Sequence, residues 1–274
     1  MQVAGIPAFM AWTRVIGFVT ILVAIPFVAR RDITRGNMRA VLAPGLLLGS
    51  FIFVAYILQT EGLARTTATN AGFITGLYVV FVPIFGLALF RQPAGRAVWF
   101  AVALSVAGLA LLSIADLSDL RPRFGDMLVL GSALAWAAHV VAVGRLAGRH
   151  PSSLLSLAQM GAAGLLHTIL ALGTTGMRPA ATVEVWELLI VTGVLGSGLA
   201  YTLQVLAQRE MTAARAVVIL AGESVASAGF SAVWLGERLV LHQWIGATIV
   251  LVAMAVSELS ARRAVARFDP AAVP

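Results

Sequence analysis

Residues 67–90 read TATNAGFITGLYVVFVPIFGLALF. Small polar residues open the stretch, Asn70 and Thr75 follow, and Tyr78 leads into an apolar run that contains Pro83. No charged residue interrupts it before Arg91. At about 1.5 Å rise per residue it is long enough, as a helix, to cross a bilayer core of about 30 Å. The stretch also has an echo. Shifting the numbering by 145 places Thr67, Ala68 and Ala71 on Thr212, Ala213 and Ala216, and Tyr78 on Glu223. A repeated membrane helix is the strongest pointer to function in the chain.

The composition agrees. Of 274 residues, 60% are hydrophobic and 11% charged, against about 45–50% and about 25% in soluble domains. One soluble core cannot bury so many apolar runs, so the chain reads as an all-α polytopic membrane protein. About nine transmembrane helices are expected, near 7–29, 40–60, 67–90, 95–115, 124–146, 152–173, 186–208, 212–235 and 241–260. The net charge of +7 does not point to nucleic acid. The basic residues are all Arg and sit mostly in short loops between apolar runs, which is the pattern of topology-setting charge and not of a basic groove. Cysteine is absent, which excludes disulfides and thiolate chemistry. Residues 1–13 carry no positive n-region, so no cleavable signal peptide is expected.

Arginine sets the orientation. One group of loops holds Arg30, Arg31, Arg35, Arg39, Arg91, Arg96, Arg145, Arg149, Arg209, Arg215, Arg262, Arg263 and Arg267. The other holds only Arg65, Arg121, Arg123, Arg178 and Arg238. The positive-inside rule then puts the C-terminus in the cytoplasm, and the cell (inner) membrane is the expected location.

The repeat extends well beyond one helix. Besides the cheap Ala and Val matches, Tyr56 meets Tyr201, Gln59 meets Gln204 and Trp99 meets Trp244 at the same offset. Helices paired this way are five spans apart, so the two copies cross the membrane in opposite senses. That is an inverted repeat of helical bundles, a common architecture of secondary transporters. The expected division is a first repeat over 1–115, a second over 124–263, and a disordered tail over 264–274. At this offset the span 124–146 has no counterpart, so four helices in the first copy face five in the second.

Several segments resemble the drug/metabolite transporter superfamily, and within it the EamA-type permeases. They are Ala68-Thr69-Asn70-Ala71 leading to Gly76-Leu77-Tyr78, Thr212-Ala213-Ala214-Arg215-Ala216 leading to Glu223, Leu235-Gly236-Glu237-Arg238-Leu239 with Gln243-Trp244-Ile245-Gly246, and Gly125-Asp126 with Ala135-Trp136-Ala137. The resemblance implies ten helices in two five-helix repeats, of which this sequence lacks the first. It also implies gradient-driven export or import of an amino acid, related metabolite or drug-like compound. The chain departs from the pattern at Arg91-Gln92, where family members carry Gly-Glu, and at Val79 and Ser224, where they carry Pro.

Within that frame Arg14, Tyr78, Trp136 and Glu223 are expected to form the polar and aromatic core of a substrate cavity, with His139, Asn70, Gln159 and Tyr201 as further lining. An ionisable residue midway along a span costs several kcal/mol unless it is paired or faces water. Glu223 therefore suits a proton site or an acceptor for a substrate amine, set against a plain interhelical hydrogen bond. Arg14 suits a substrate carboxylate or pairing with Glu223, set against snorkelling to the interface. Trp136 and His139 lie three apart on neighbouring helix faces. The neutral polar residues serve equally well as interhelical hydrogen bonds.

No GxxxxGK[ST] loop, HExxH or GxSxG occurs, so ATP drive, a metal hydrolase and a nucleophile elbow are not expected. No enzyme activity, cofactor or metal is expected, and no nucleic-acid partner. The expected partners are a small-molecule substrate and the lipid bilayer, with proton coupling and a homodimer as open options. The competing reading is a non-transporting helix-bundle protein.

Overall fold

The computed structural model describes residues 6–28, 34–113, 123–177, 183–234 and 239–268. The expected tail over 264–274 falls partly outside them. Among the described residues there are helices and no strands. In lipid a backbone can satisfy its polar groups only within a helix or a closed barrel, and the uninterrupted apolar runs choose the helix.

The helices in chain order are α1 (Ile6–Val28), α2 (Arg35–Ala40), α3 (Leu42–Leu63), α4 (Ala68–Gly76), α5 (Tyr78–Phe90), α6 (Arg96–Ser113), α7 (Phe124–Leu146), α8 (Ser152–Thr174), α9 (Val183–Val191), α10 (Ala200–Glu210), α11 (Ala213–Leu220), α12 (Gly222–Trp234) and α13 (Leu241–Phe268). A π-helical segment, Thr192–Leu199, joins α9 to α10. Among the described residues eight helical stretches are long and apolar enough to cross a membrane, and a further one, Arg96–Leu112, is apolar but shorter. They match the nine expected spans. Many large apolar side chains are exposed, among them Leu22, Leu89, Phe100, Leu172 and Leu251. In a soluble protein such a skin would aggregate; in a bilayer it faces lipid.

The chain divides into two compact units, interleaved in sequence. One holds Met1–Val54 and Ala142–Met211, the other Ala55–Val141 and Thr212–Pro274. In the first, α1 packs on α8 and on the π-helical segment. Glycine makes this possible. A Cβ on Gly17 would fall 2.6 Å from Ser197 Cβ, and one on Gly49 2.7 Å from the Gln159 carbonyl oxygen. These are the close helix approaches that small residues permit in membranes.

In the second unit the main pairing is α6 with α13, two helices equivalent under the shift of 145. Its core joins Val79 and Val82 of α5 to Ala101, Val102 and Leu109 of α6, Val217 and Val218 of α11, and Val250 and Ala253 of α13.

The opening stretch is not one straight helix. Thr67 caps α4, its Oγ1 accepting from the Asn70 backbone N–H at 3.1 Å. The helix tightens at Leu77, whose N–H donates to the Ile74 carbonyl at 3.1 Å, and restarts at Tyr78. Its partner behaves alike. Thr212 Oγ1 accepts from the Arg215 N–H at 3.4 Å, and the helix breaks at Ala221 before α12. Both breaks lie in mid-span, close ahead of Tyr78 and Glu223. Pro83, inside α5, offers no N–H to the Val79 carbonyl, a second weak point in the same span.

The span ends at Arg91, a left-handed C-cap with φ 52°. Its N–H donates to the Leu87 carbonyl, the bond of an αL cap, and the Gln92 N–H reaches the Gly86 carbonyl, both at 3.0 Å. A side chain there is strained by about 1–2 kcal/mol, which glycine avoids. The variant Arg91→Gly is expected to raise the melting temperature of purified protein by about 2–4 °C. An unchanged or lower value would mean that the Arg91 side chain offsets its backbone strain.

Candidate functional site

The second unit gathers Asn70, Tyr78, Trp136, His139 and Glu223. Tyr78 opens α5 and is half-buried; Glu223 follows the break in the equivalent helix and is exposed. The Tyr78 hydroxyl lies within electrostatic reach of the Glu223 carboxylate. Among the described residues Glu223 makes no ion pair or hydrogen bond, although it sits inside the span Ala213–Phe230. A carboxylate in that position must meet water, a proton or a ligand cation, because bare hydrocarbon around it would cost several kcal/mol.

Trp136 is tied to the first break by a chain of polar contacts. Its Nε1–H donates to Gln59 Oε1 at 3.3 Å, and Gln59 Nε2 donates to Thr75 Oγ1 at 3.5 Å, within a turn of Tyr78. The indole stands edge-on to Tyr56 (ring centroids 5.1 Å, interplanar angle 81°) and to His139 (6.0 Å, 87°). His139 is fully buried behind it. Tyr56, Trp136 and His139 thus form a run of edge-on rings, with Gln59 as its polar link.

Asn70 is buried, and its Nδ2 donates to Asp126 Oδ1 at 3.4 Å. The Thr66 hydroxyl donates to the same oxygen, and the Arg123 N–H donates to Oδ2 at 2.7 Å. Asp126 thus reaches back to the backbone N–H that precedes α7, as the N3 acid of a capping box does, without the return bond, since Arg123 has no side-chain acceptor. It also binds the entry of α4.

The first unit gathers Arg14, Gln159 and Tyr201, all buried. Arg14 does not snorkel. Its Nη1 donates inward to Thr13 Oγ1 at 2.8 Å and to Ser197 Oγ at 2.9 Å. Ser197 belongs to the π-helical segment, a geometry that often marks functional sites. His167 lies within the electrostatic reach of Arg14. Its Nδ1 pairs with the Ala163 carbonyl at 2.8 Å and its ring stands edge-on to Phe53 at 4.9 Å. An apolar groove along α1, from Trp12 to Ala24, has no charged lining and so cannot select for charge.

Among the described residues no group of three or more His, Cys, Asp or Glu gathers. Sequence reasoning marked Gln59 as a polar group fit for an interhelical hydrogen bond, as it proves to be, but missed Ser197 and Glu258. The glycines at 193, 196 and 198 around Ser197 suit close helix packing but do not mark the π turn. The other partners are ordinary polar residues without a local signature.

A model of the EamA-like transporter family matches residues 1–114 and 123–258. An uncharacterized transporter of Archaeoglobus fulgidus is 30% identical over 249 residues, 91% of this chain and 76% of that protein. An uncharacterized transporter of Methanothermobacter thermautotrophicus is 24% identical over 202 residues, 72% of this chain and 59% of that protein. A solved crystal structure aligns with a TM-score of 0.80 over 94% of this chain and 88% of its own, at 18% identity, a likeness of fold alone.

Proposed function

The chain belongs to the EamA-like transporter family, and we propose that it exports or imports a small amine-bearing metabolite, an amino acid or a drug-like compound, by alternating access. A multi-pass membrane transporter needs a polar group at mid-depth that the solute can reach. Glu223, exposed at the break of a membrane-spanning helix with no hydrogen-bond or ion-pair partner among the described residues, is the observation that carries the reading. Tyr78 at the equivalent break supplies a hydroxyl and a ring for the same solute, and Trp136 an aromatic wall. The buried Asn70 and His139 support the helices that present these groups, while Arg14, Gln159 and Tyr201 order the helices of the other unit. Proton binding at Glu223 in the absence of solute would couple transport to a gradient.

The shift of 145 supports two repeats, over 1–115 and 124–263. The asymmetry of Arg between the loops supports an inner-membrane protein with a cytoplasmic C-terminus. A melting-shift screen on purified protein tests the substrate class. Amines and amino acids are expected to raise the melting temperature, and the Glu223→Gln variant is expected to lose those shifts. Shifts confined to anionic or neutral solutes would overturn the amine reading. A C-terminal reporter that is active only in the periplasm should stay silent.

A further inference from the structure

We propose that Asp126 and Glu258 are positioning residues for transport, which clamp the entry turns of the two broken helices at opposite membrane faces. The inference rests on the alternating-access reading above and adds the parts that would alternate.

The helices α4–α5 and α11–α12 are equivalent under the shift of 145, and each begins at a threonine cap, Thr67 or Thr212. Three residues past the cap stand Asn70 and Arg215, themselves equivalent positions. Each is held to an acid on a neighbouring helix of the same unit. Asn70 Nδ2 donates to Asp126 Oδ1 at 3.4 Å, beside Thr66 on that oxygen, while Asp126 Oδ2 takes the Arg123 N–H. Arg215 Nη2 meets Glu258 Oε2 at 2.7 Å. Counting crossings, α4 and α7 both start at one membrane face, whereas α11 starts and the spanning part of α13 ends at the other.

The two acids are not equivalent under the repeat, since one comes from α7 and the other from α13. The clamped positions are. What has been duplicated is the held end of a short helix. From each held end barely two turns of helix lead to the break, at Leu77 or Ala221, and so to Tyr78 or Glu223. A half-helix this short moves as a rigid lever about its break, so releasing its outer end opens the way to the break from that face alone. The partners suit release. Arg215–Glu258 is partly exposed, with side chains 21% and 39% accessible, and the Asn70–Asp126 contact is long. A partly exposed ion pair is weak enough to break and reform within a transport cycle, and at the other end Asp126 can release Asn70 while keeping Thr66 and the Arg123 N–H.

The chain has no cysteine, so a single one reports cleanly. Ser224→Cys places a thiol next to Glu223, and a membrane-impermeant maleimide is added to right-side-out or inside-out vesicles. Asp126→Ala should raise the labelling rate about fivefold from the face where α4 begins, and not from the other. Glu258→Gln should raise it by a similar factor from the opposite face only. The swap Arg215→Glu with Glu258→Arg should return the rate to that of Ser224→Cys alone. A general loss of packing would not be rescued this way, and monodispersity in detergent checks folding throughout. Equal increases from both faces, or labelling unmoved by either variant and by the swap, would overturn the clamps while leaving transport standing. Failure of the introduced thiol to label from either face in every variant would overturn both the clamps and alternating access.

Discussion

Glu223→Gln is expected to reduce solute transport in proteoliposomes by about tenfold or more while leaving the protein folded and monodisperse. The two halves of this expectation have one cause. Glu223 has no hydrogen-bond or ion-pair partner among the described residues, so removing its charge orphans nothing in the fold. Glutamine keeps the shape and lets the side chain stay hydrated. Stability should therefore change by no more than about 0.5 kcal/mol, as for surface substitutions. A solute ammonium, by contrast, loses the carboxylate offered at the break, and a charge-assisted contact at mid-membrane is worth far more than a neutral one. Full transport activity in Glu223→Gln would remove this residue from the mechanism. A variant that precipitates would instead make Glu223 a structural group.

The second large effect is structural. Gly246→Val is expected to destabilise the protein by about 2–3 kcal/mol or more, lowering the melting temperature by about 5 °C or more. A Cβ at Gly246 would fall 2.6 Å from the Gly108 carbonyl oxygen and 2.7 Å from the Leu112 N. Both are backbone atoms of α6, so no side chain can turn aside, and α6 and α13 must separate. That separation would strain the nearby bond from Gln243 Nε2 to the Leu112 carbonyl (3.3 Å) and loosen the core around Val250. The control is Gly229→Ala, where an added Cβ meets nothing within 4 Å. In the helix α12 it should be neutral, or stabilising by about 0.5–1 kcal/mol. Thermal melts in one detergent compare the two, and equal melting temperatures would refute the close-packing account of the α6–α13 pair.

The positions of Tyr78 and Glu223 are legible in the sequence, for a physical reason. Each is a polar residue in an apolar run, and the shift of 145 makes them equivalent. Caps are local as well, so Thr67 and Thr212 can be read from the residues beside them. The Gly-Glu departure at Arg91-Gln92 likewise falls at a left-handed cap, a position where glycine has a backbone reason to occur. The breaks at Leu77 and Ala221 are not legible. Each stands beside a glycine, Gly76 or Gly222, which weakens a helix by about 1 kcal/mol, but so many other glycines lie inside unbroken helices here that this signal alone does not pick out the breaks.

By itself the sequence determined that this is a helical membrane protein with about nine crossings and an internal repeat of opposed sense. Those properties follow from run length, charge and period, which are summed over many residues and need no partner. Tertiary structure alone decided which polar groups meet. Arg14 finds Ser197 in a π turn 183 positions away, Trp136 reaches Thr75 through Gln59, and Asp126 and Glu258 meet the entry turns of the two broken helices. Such pairs depend on glycine-sized approaches and on helix rotation. In an all-apolar setting no hydrophobic stripe fixes that rotation, so only packing against neighbouring helices could choose it.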